Sequence, residues 1–261
     1  MERYETLLVD RRGKIVIVTL HRPEDANCLN WQMATELAAV AAHCDTEPSV
    51  RAVVLTGSGR FFCAGGDVKA MARFGSDIAS QMKRLADELH RTISTFSRMK
   101  APLIVAVNGP AAGAGFSLAA TGDIVIASES SNFTMAYTAV GLSPDGSSSY
   151  FLPRLIGLRR TQELMLTNRK LTASEALDWG VVTSVAPPDQ LKERALQTAE
   201  YCAAGSVDSN SVVKKLLLDT FGNSLETQME IEGRHIARCA ATVNGQEGIR
   251  AFVEKRRPRF Q

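Results

Sequence analysis

Long apolar runs are missing from this 261-residue sequence. No stretch approaches the roughly 20 apolar residues that a membrane-spanning helix needs, so no membrane partner is expected. An excess of one charge is missing too: 30 Lys and Arg stand against 28 Asp and Glu, a net charge of +2. Such a balance gives no broad field for nucleic acid, and any anionic ligand has to be met locally. Cysteine is sparse, at Cys28, Cys44, Cys63, Cys202 and Cys239, with no CxxC pair. Free thiols in a reducing compartment are the expectation. The opening MERYETLLVDRRGKIVIVTL has no long apolar signal segment and carries acids that a transit peptide avoids, which points to the cytoplasm. Internal repeats and low-complexity segments are absent, and neither GxGxxG nor GK[ST] occurs at a glycine turn. Dinucleotide and triphosphate binding therefore have no support.

What is present is a βαβ rhythm. KIVIVTL at 14–20, a helical pattern over 31–44, AVVLTG at 52–57, a second helix over 77–99, PLIVAVNG and DIVIAS alternate in order. That order predicts an α/β fold with a mainly parallel sheet covered by helices. From Leu155 the pattern turns helical, and VAPPDQ at 185–190 is the expected joint before a helical tail.

Two segments share one form, a strand and then a turn rich in small residues that leads towards a helix: AVVLTGSGRFFCAGGDVKAM and PLIVAVNGPAAGAGFSLAATG. Small residues let a ligand approach the main chain, and the free N–H groups at a helix start favour negative charge. Paired amides from two such turns would make an oxyanion hole. Close packing of helix on strand explains each turn equally well when it is taken alone.

HRPEDANCLN, VVLTGSGRFFCAGGDVKAM, VAVNGPAAGAGFSLAATGDIVIAS, NFTMAYTAVGLSPDGSSSYFLPRLIG and KLTASEALDWGVVTSV, in this order, resemble the crotonase (enoyl-CoA hydratase/isomerase) superfamily. The resemblance implies a ClpP-like spiral of ββα units over residues 1–188 and a C-terminal helical trimerisation region over 189–261. It also implies an acyl-CoA thioester substrate, a homotrimer or dimer of trimers, and no metal or separate cofactor, coenzyme A being part of the substrate. By the same resemblance the amides of Gly66 and Ala114 form the oxyanion hole. Coenzyme A would meet Asn27, Cys28, Leu29, Ala64 and Lys69, with Phe252 and Lys255 reaching the nucleotide from a neighbouring helix or subunit.

Hydratases of the family use two glutamates, and here those positions read Ser117 and Tyr137. Without that pair water is not activated in the usual way. The acid that remains is Asp145 in GLSPDGSSS, where isomerase-type relatives, including those acting on epoxyphenylacetyl-CoA, carry Asp or Glu. One carboxylate suffices to move a proton from C2 to C4 of a 3-enoyl thioester, given a raised pKa or a dry site. The rival reading comes from the 4-chlorobenzoyl-CoA dehalogenases, in which an aspartate attacks as nucleophile; His90 would then activate water and Tyr137 would stand where they carry Trp. His90 reads equally as a packing residue, and Tyr137 as a pocket wall. A non-catalytic member binding acyl-CoA or RNA is a third reading, opposed by the lack of a basic patch beyond KRRPR. Asp67 is expected to cap a helix and Asp123 to fix the chain locally, while 147–149 read as loop serines.

Overall fold

The computed structural model describes residues 4–261. It opens with a hairpin, β1 (Leu7–Arg12) antiparallel to β2 (Ile15–Leu20). Helix α1 (Trp31–Thr46) follows, started by Asn30, whose side chain accepts from the Met33 amide at 2.9 Å. That cap satisfies one of the amides a helix start leaves unpaired. β3 (Ala52–Gly57) lies parallel to β2, and a short helix α2 (Val68–Met71) precedes the long helix α3 (Ile78–Arg98). β4 (Leu103–Val107), the two-residue β5 (Ala111–Ala112), helix α4 (Ala114–Ala119) and β6 (Ile124–Ser128) come next, with β3, β4 and β6 in parallel register. β7 (Asn132–Thr134), α5 (Ser148–Ile156), α6 (Leu158–Thr167), β8 (Leu171–Thr172), α7 (Ala173–Trp179) and β9 (Ser184–Ala186) complete the mixed part. Four helices end the chain: α8 (Leu191–Ala204), α9 (Val207–Asp219), α10 (Leu225–Ala241) and α11 (Val243–Val253).

One sheet has the order β1-β2-β3-β4-β6-β9, and a second, smaller one has β5-β7-β8. Every residue of β4 is buried, as a parallel strand covered on both faces requires. Alternation along the strands sorts the two faces. Val53, Leu55, Leu103 and Val105 join α1 and α3 in the larger core, whereas Ala52, Val54, Ile104 and Ala106 face a second cluster.

That second cluster is closed by Leu191, Ala195, Ala199 and Ala203 of α8, four residues apart on one helical face. The expected division at 188/189 puts α8 with the C-terminal region, and here that helix packs on the sheet. Alanines at that spacing announce a buried face less clearly than leucines do. α9 is tied back to the core by Lys214, whose Nζ reaches Phe96 O at 2.8 Å, Ala101 O at 3.0 Å and Asp123 Oδ2 at 2.7 Å. α10 buries none of its residues and presents Leu225, Met229 and Ile236 to solvent. Among the described residues, no helix is long and apolar enough to cross a membrane.

Candidate active site

The two glycine-rich turns meet. Gly65 adopts φ +106°, and a Cβ there would lie 3.0 Å from Ala112 O and 3.6 Å from Ala114 N. Gly115 is closer still, since a Cβ on it would stand 2.2 Å from Cys63 O. The turns are joined by Ala112 N–H donating to Cys63 O at 2.9 Å. Gly113, with φ +50°, takes the left-handed angle that lets Ala114 begin α4 with ordinary backbone geometry. The amides of Gly66 and Ala114 have no acceptor among the described residues. Both border a cavity of about 760 Å³. Two unspent donors on one wall can bind an oxygen that gains negative charge.

Asp145 lies on the wall of the same cavity, half-buried, and is its only lining carboxylate among the described residues. Its Oδ1 accepts from Tyr137 OH at 2.7 Å. Its carbonyl lies 3.0 Å from Ser117 Oγ and accepts from Ser148 Oγ at 2.9 Å. Ser117 Oγ also lies 2.9 Å from Tyr137 OH and 3.2 Å from Gly113 O, so it touches both the acidic loop and the oxyanion turn. Gly146 and Ser147 are both left-handed, with φ +60° and +63°. A Cβ on Gly146 would stand 2.8 Å from Ser117 Cβ, so glycine and serine fit here as a pair. Burial, and then the charge of Asp145, push the Tyr137 phenol well above its ordinary range, which keeps it a proton donor. The rest of the cavity is largely apolar, with Met71, Met82, Leu85 and Leu89 along α2 and α3.

Gly66, Ala114, Asp145 and Tyr137 are thus brought together, with Leu29 and Ala64 on the same lining. The Ala64 carbonyl has no donor among the described residues. His90 is not part of that lining; it is exposed on α3, and its Nε2 accepts from Gly146 N–H at 3.2 Å. That nitrogen would have to leave the Gly146 amide before it could take a proton from water, as the dehalogenase-like role asks of it.

The Asn27 side chain is fully buried and spent on Arg22 N, Ser58 O and Phe61 O at 2.9, 2.9 and 2.8 Å, which leaves its main-chain carbonyl as the group a ligand could meet. Cys28 is half-buried, its carbonyl held by Arg22 Nη1 at 2.6 Å and its thiol pushed up by burial and by Asp67. Lys69, Lys255 and Phe252, the last 86% exposed, border none of this cavity within the single chain. Asp67 caps α2, accepting from Ala70 N at 3.0 Å, and Asp123 holds Leu103 N at 2.7 Å. Ser148 does more than the loop role expected of it, because it supports the Asp145 carbonyl. In the sequence Ser117 stands out only for the glutamate it replaces, although a hydroxyl on the glycine-motif helix is the available signal for its role.

Comparison with known proteins identifies the family. The family description Enoyl-CoA hydratase/isomerase matches residues 10–261. The chain is 34% identical over 250 residues to the 1,2-epoxyphenylacetyl-CoA isomerase of Escherichia coli (strain K12), covering 94% of each protein. It is also 34% identical over 259 residues to the 2,3-dehydroadipyl-CoA hydratase of the same organism, covering 98% of each. Among solved structures, an enoyl-CoA hydratase from Polaromonas sp. JS666 superposes with a TM-score of 0.94 at 32% identity, over 98% of this chain and 99% of that one. The fold is the crotonase fold, and the chain belongs to the enoyl-CoA hydratase/isomerase family of enzymes.

Proposed function

We propose that the protein is an acyl-CoA double-bond isomerase that converts a 3-enoyl or ring-derived enoyl thioester to its 2-enoyl isomer. The observation that carries this reading is a single carboxylate, Asp145, on the same cavity as the free amides of Gly66 and Ala114. A thioester oxygen held by those amides stabilises the enolate formed when Asp145 removes a C2 proton. Return of that proton to C4 completes the shift, with no water consumed. Family resemblance puts the glutamates of hydratases at Ser117 and Tyr137, and here both hydroxyls are engaged with Asp145. The names of the relatives point to both isomerases and hydratases, so the reading rests on these residues.

Asp145→Asn is the test. Turnover of 3-enoyl-CoA esters is expected to fall by at least about 10²–10⁴, the usual worth of general acid–base catalysis, while ester binding persists. A variant that isomerises at the wild-type rate refutes the assignment. The hydrolytic alternative, attack by Asp145 on an aryl-CoA, needs His90 to leave Gly146 N–H before it can activate water. Mass on the Asp145 peptide after quenching with a halobenzoyl-CoA would revive it.

The same proposal includes assembly as a trimer or a pair of trimers, in which Phe252 and Lys255 of one subunit reach the nucleotide of the next. Its support is the exposed apolar surface of α10 and α11, where Ile236, Val243, Ile249 and Phe252 are each at least 60% exposed. Sedimentation equilibrium at a monomer mass would reject it.

A further inference from the structure

We propose that Tyr137 and Ser117 are positioning residues that confine the proton traffic of Asp145 to one oxygen, Oδ2. The inference rests on the isomerase reading and deepens it. An ionised carboxylate only accepts hydrogen bonds, so the 2.7 Å contact makes the Tyr137 phenol the donor to Oδ1. That phenol has one proton and has spent it. Ser117 Oγ has one proton and three oxygens in reach, the Tyr137 phenol at 2.9 Å, Asp145 O at 3.0 Å and Gly113 O at 3.2 Å; on this inference that proton goes to the phenol, whose own is spent on Asp145. Ser117 is fully buried, so no water competes for its proton. The chain of donation runs from Ser117 to Tyr137 to Asp145 Oδ1, and it makes that oxygen a weaker base than Oδ2.

Oδ2 has no hydrogen-bond partner among the described residues. During turnover it gains the proton as the C2–H bond breaks and the electron pair passes into the thioester enolate. It then loses the same proton as the C4–H bond forms, while the Tyr137 proton stays where it was. Reactant and product have the same atoms, and no co-reactant is needed. A carboxyl that cannot turn over between its two oxygens keeps the abstracted proton facing the substrate instead of releasing it to water.

The experiment uses a 3-enoyl-CoA carrying deuterium at C2 and reads its appearance at C4. Wild-type enzyme should transfer most of the label. Tyr137→Phe retains the ring but loses the donor, and should lower kcat by about tenfold to a hundredfold with KM within about twofold. It should also lose at least half of the label to solvent, and Ser117→Ala should act in the same direction to a smaller extent.

A second readout does not depend on turnover. The protein has four tyrosines, so fluorotyrosine labelling gives a countable spectrum in which the Tyr137 resonance is identified by its loss in Tyr137→Phe. Asp145→Asn and Ser117→Ala should each shift that resonance. Wild-type kcat and label transfer in Tyr137→Phe, or a resonance unmoved by Asp145→Asn, would overturn the inference while leaving the isomerase reading intact. Full activity of Asp145→Asn would instead remove the isomerase reading, and the fluorine spectrum would still decide whether the donor chain exists.

Discussion

At Ala26 and Asn27 the backbone turns left-handed, with φ of +52° and +54°. Asparagine tolerates that angle better than most residues, and here the turn also carries its side chain inward to three main-chain partners. Asn27→Ala leaves buried polar groups unpaired and should cost about 1–3 kcal/mol or somewhat more, measured by chemical denaturation. The family resemblance assigns this segment to coenzyme A but does not show that its one amide side chain is spent on the main chain, since a positive φ has no local signature strong enough to be read. His90 poses the same problem. Its place on a helix before PLIVAVNG is legible, but its partner lies 56 residues away. His90→Leu deprives Gly146 N–H of its acceptor and should lower kcat about tenfold, whereas His90→Gln, which retains an acceptor, should lower it less. Equal loss in both variants would contradict a role in holding the loop. Gly66, Ala114 and Asp145, which the structure brings to one cavity, are readable because each lies in a motif that points to its backbone amide or its single acid.

The elements that are easiest to read are those with continuous apolar runs. The pattern predicts a strand at 52–57, where β3 lies at Ala52–Gly57, and β4 and β6 lie inside PLIVAVNG and DIVIAS. β5, β7 and β8, of two or three residues each, exist only because a partner strand is present, so no local pattern could announce them. The turns behave likewise: their glycines are visible, but their mutual contact is not. Gly115→Ala puts a methyl 2.2 Å from Cys63 O and must push one turn away from the other. Stability should fall by about 1–3 kcal/mol and kcat/KM by more, because the two amide donors then no longer converge. Gly222, where an added methyl would meet nothing within 4 Å, supplies the control, and Gly222→Ala should leave both quantities unchanged.

Across the whole molecule, the C-terminal helices are held to the sheet by few polar contacts. Burial pushes Lys214 below its ordinary range and Asp123 above its own, so each ion is costly and each depends on the other. Lys214→Met and Asp123→Leu should each cost about 3–5 kcal/mol, and the double variant less than their sum, in a denaturation cycle. Additive losses would show that the pair is not coupled. The division between core and tail is legible only as a change to helical periodicity; which helix stays with the sheet depends on alanine packing that composition does not reveal. A larger consequence follows from the contact between Gly146 and Ser117. A glutamate at 117 adds three heavy atoms where a single methyl on Gly146 would already stand 2.8 Å from the serine Cβ. On the proposed reading, a longer side chain at 117 has to share this space with the 145–147 loop, so gain of water addition is expected to need a change in the path of that loop as well. The variant Ser117→Glu/Tyr137→Glu, assayed on a short 2-enoyl-CoA, should accordingly show no hydration.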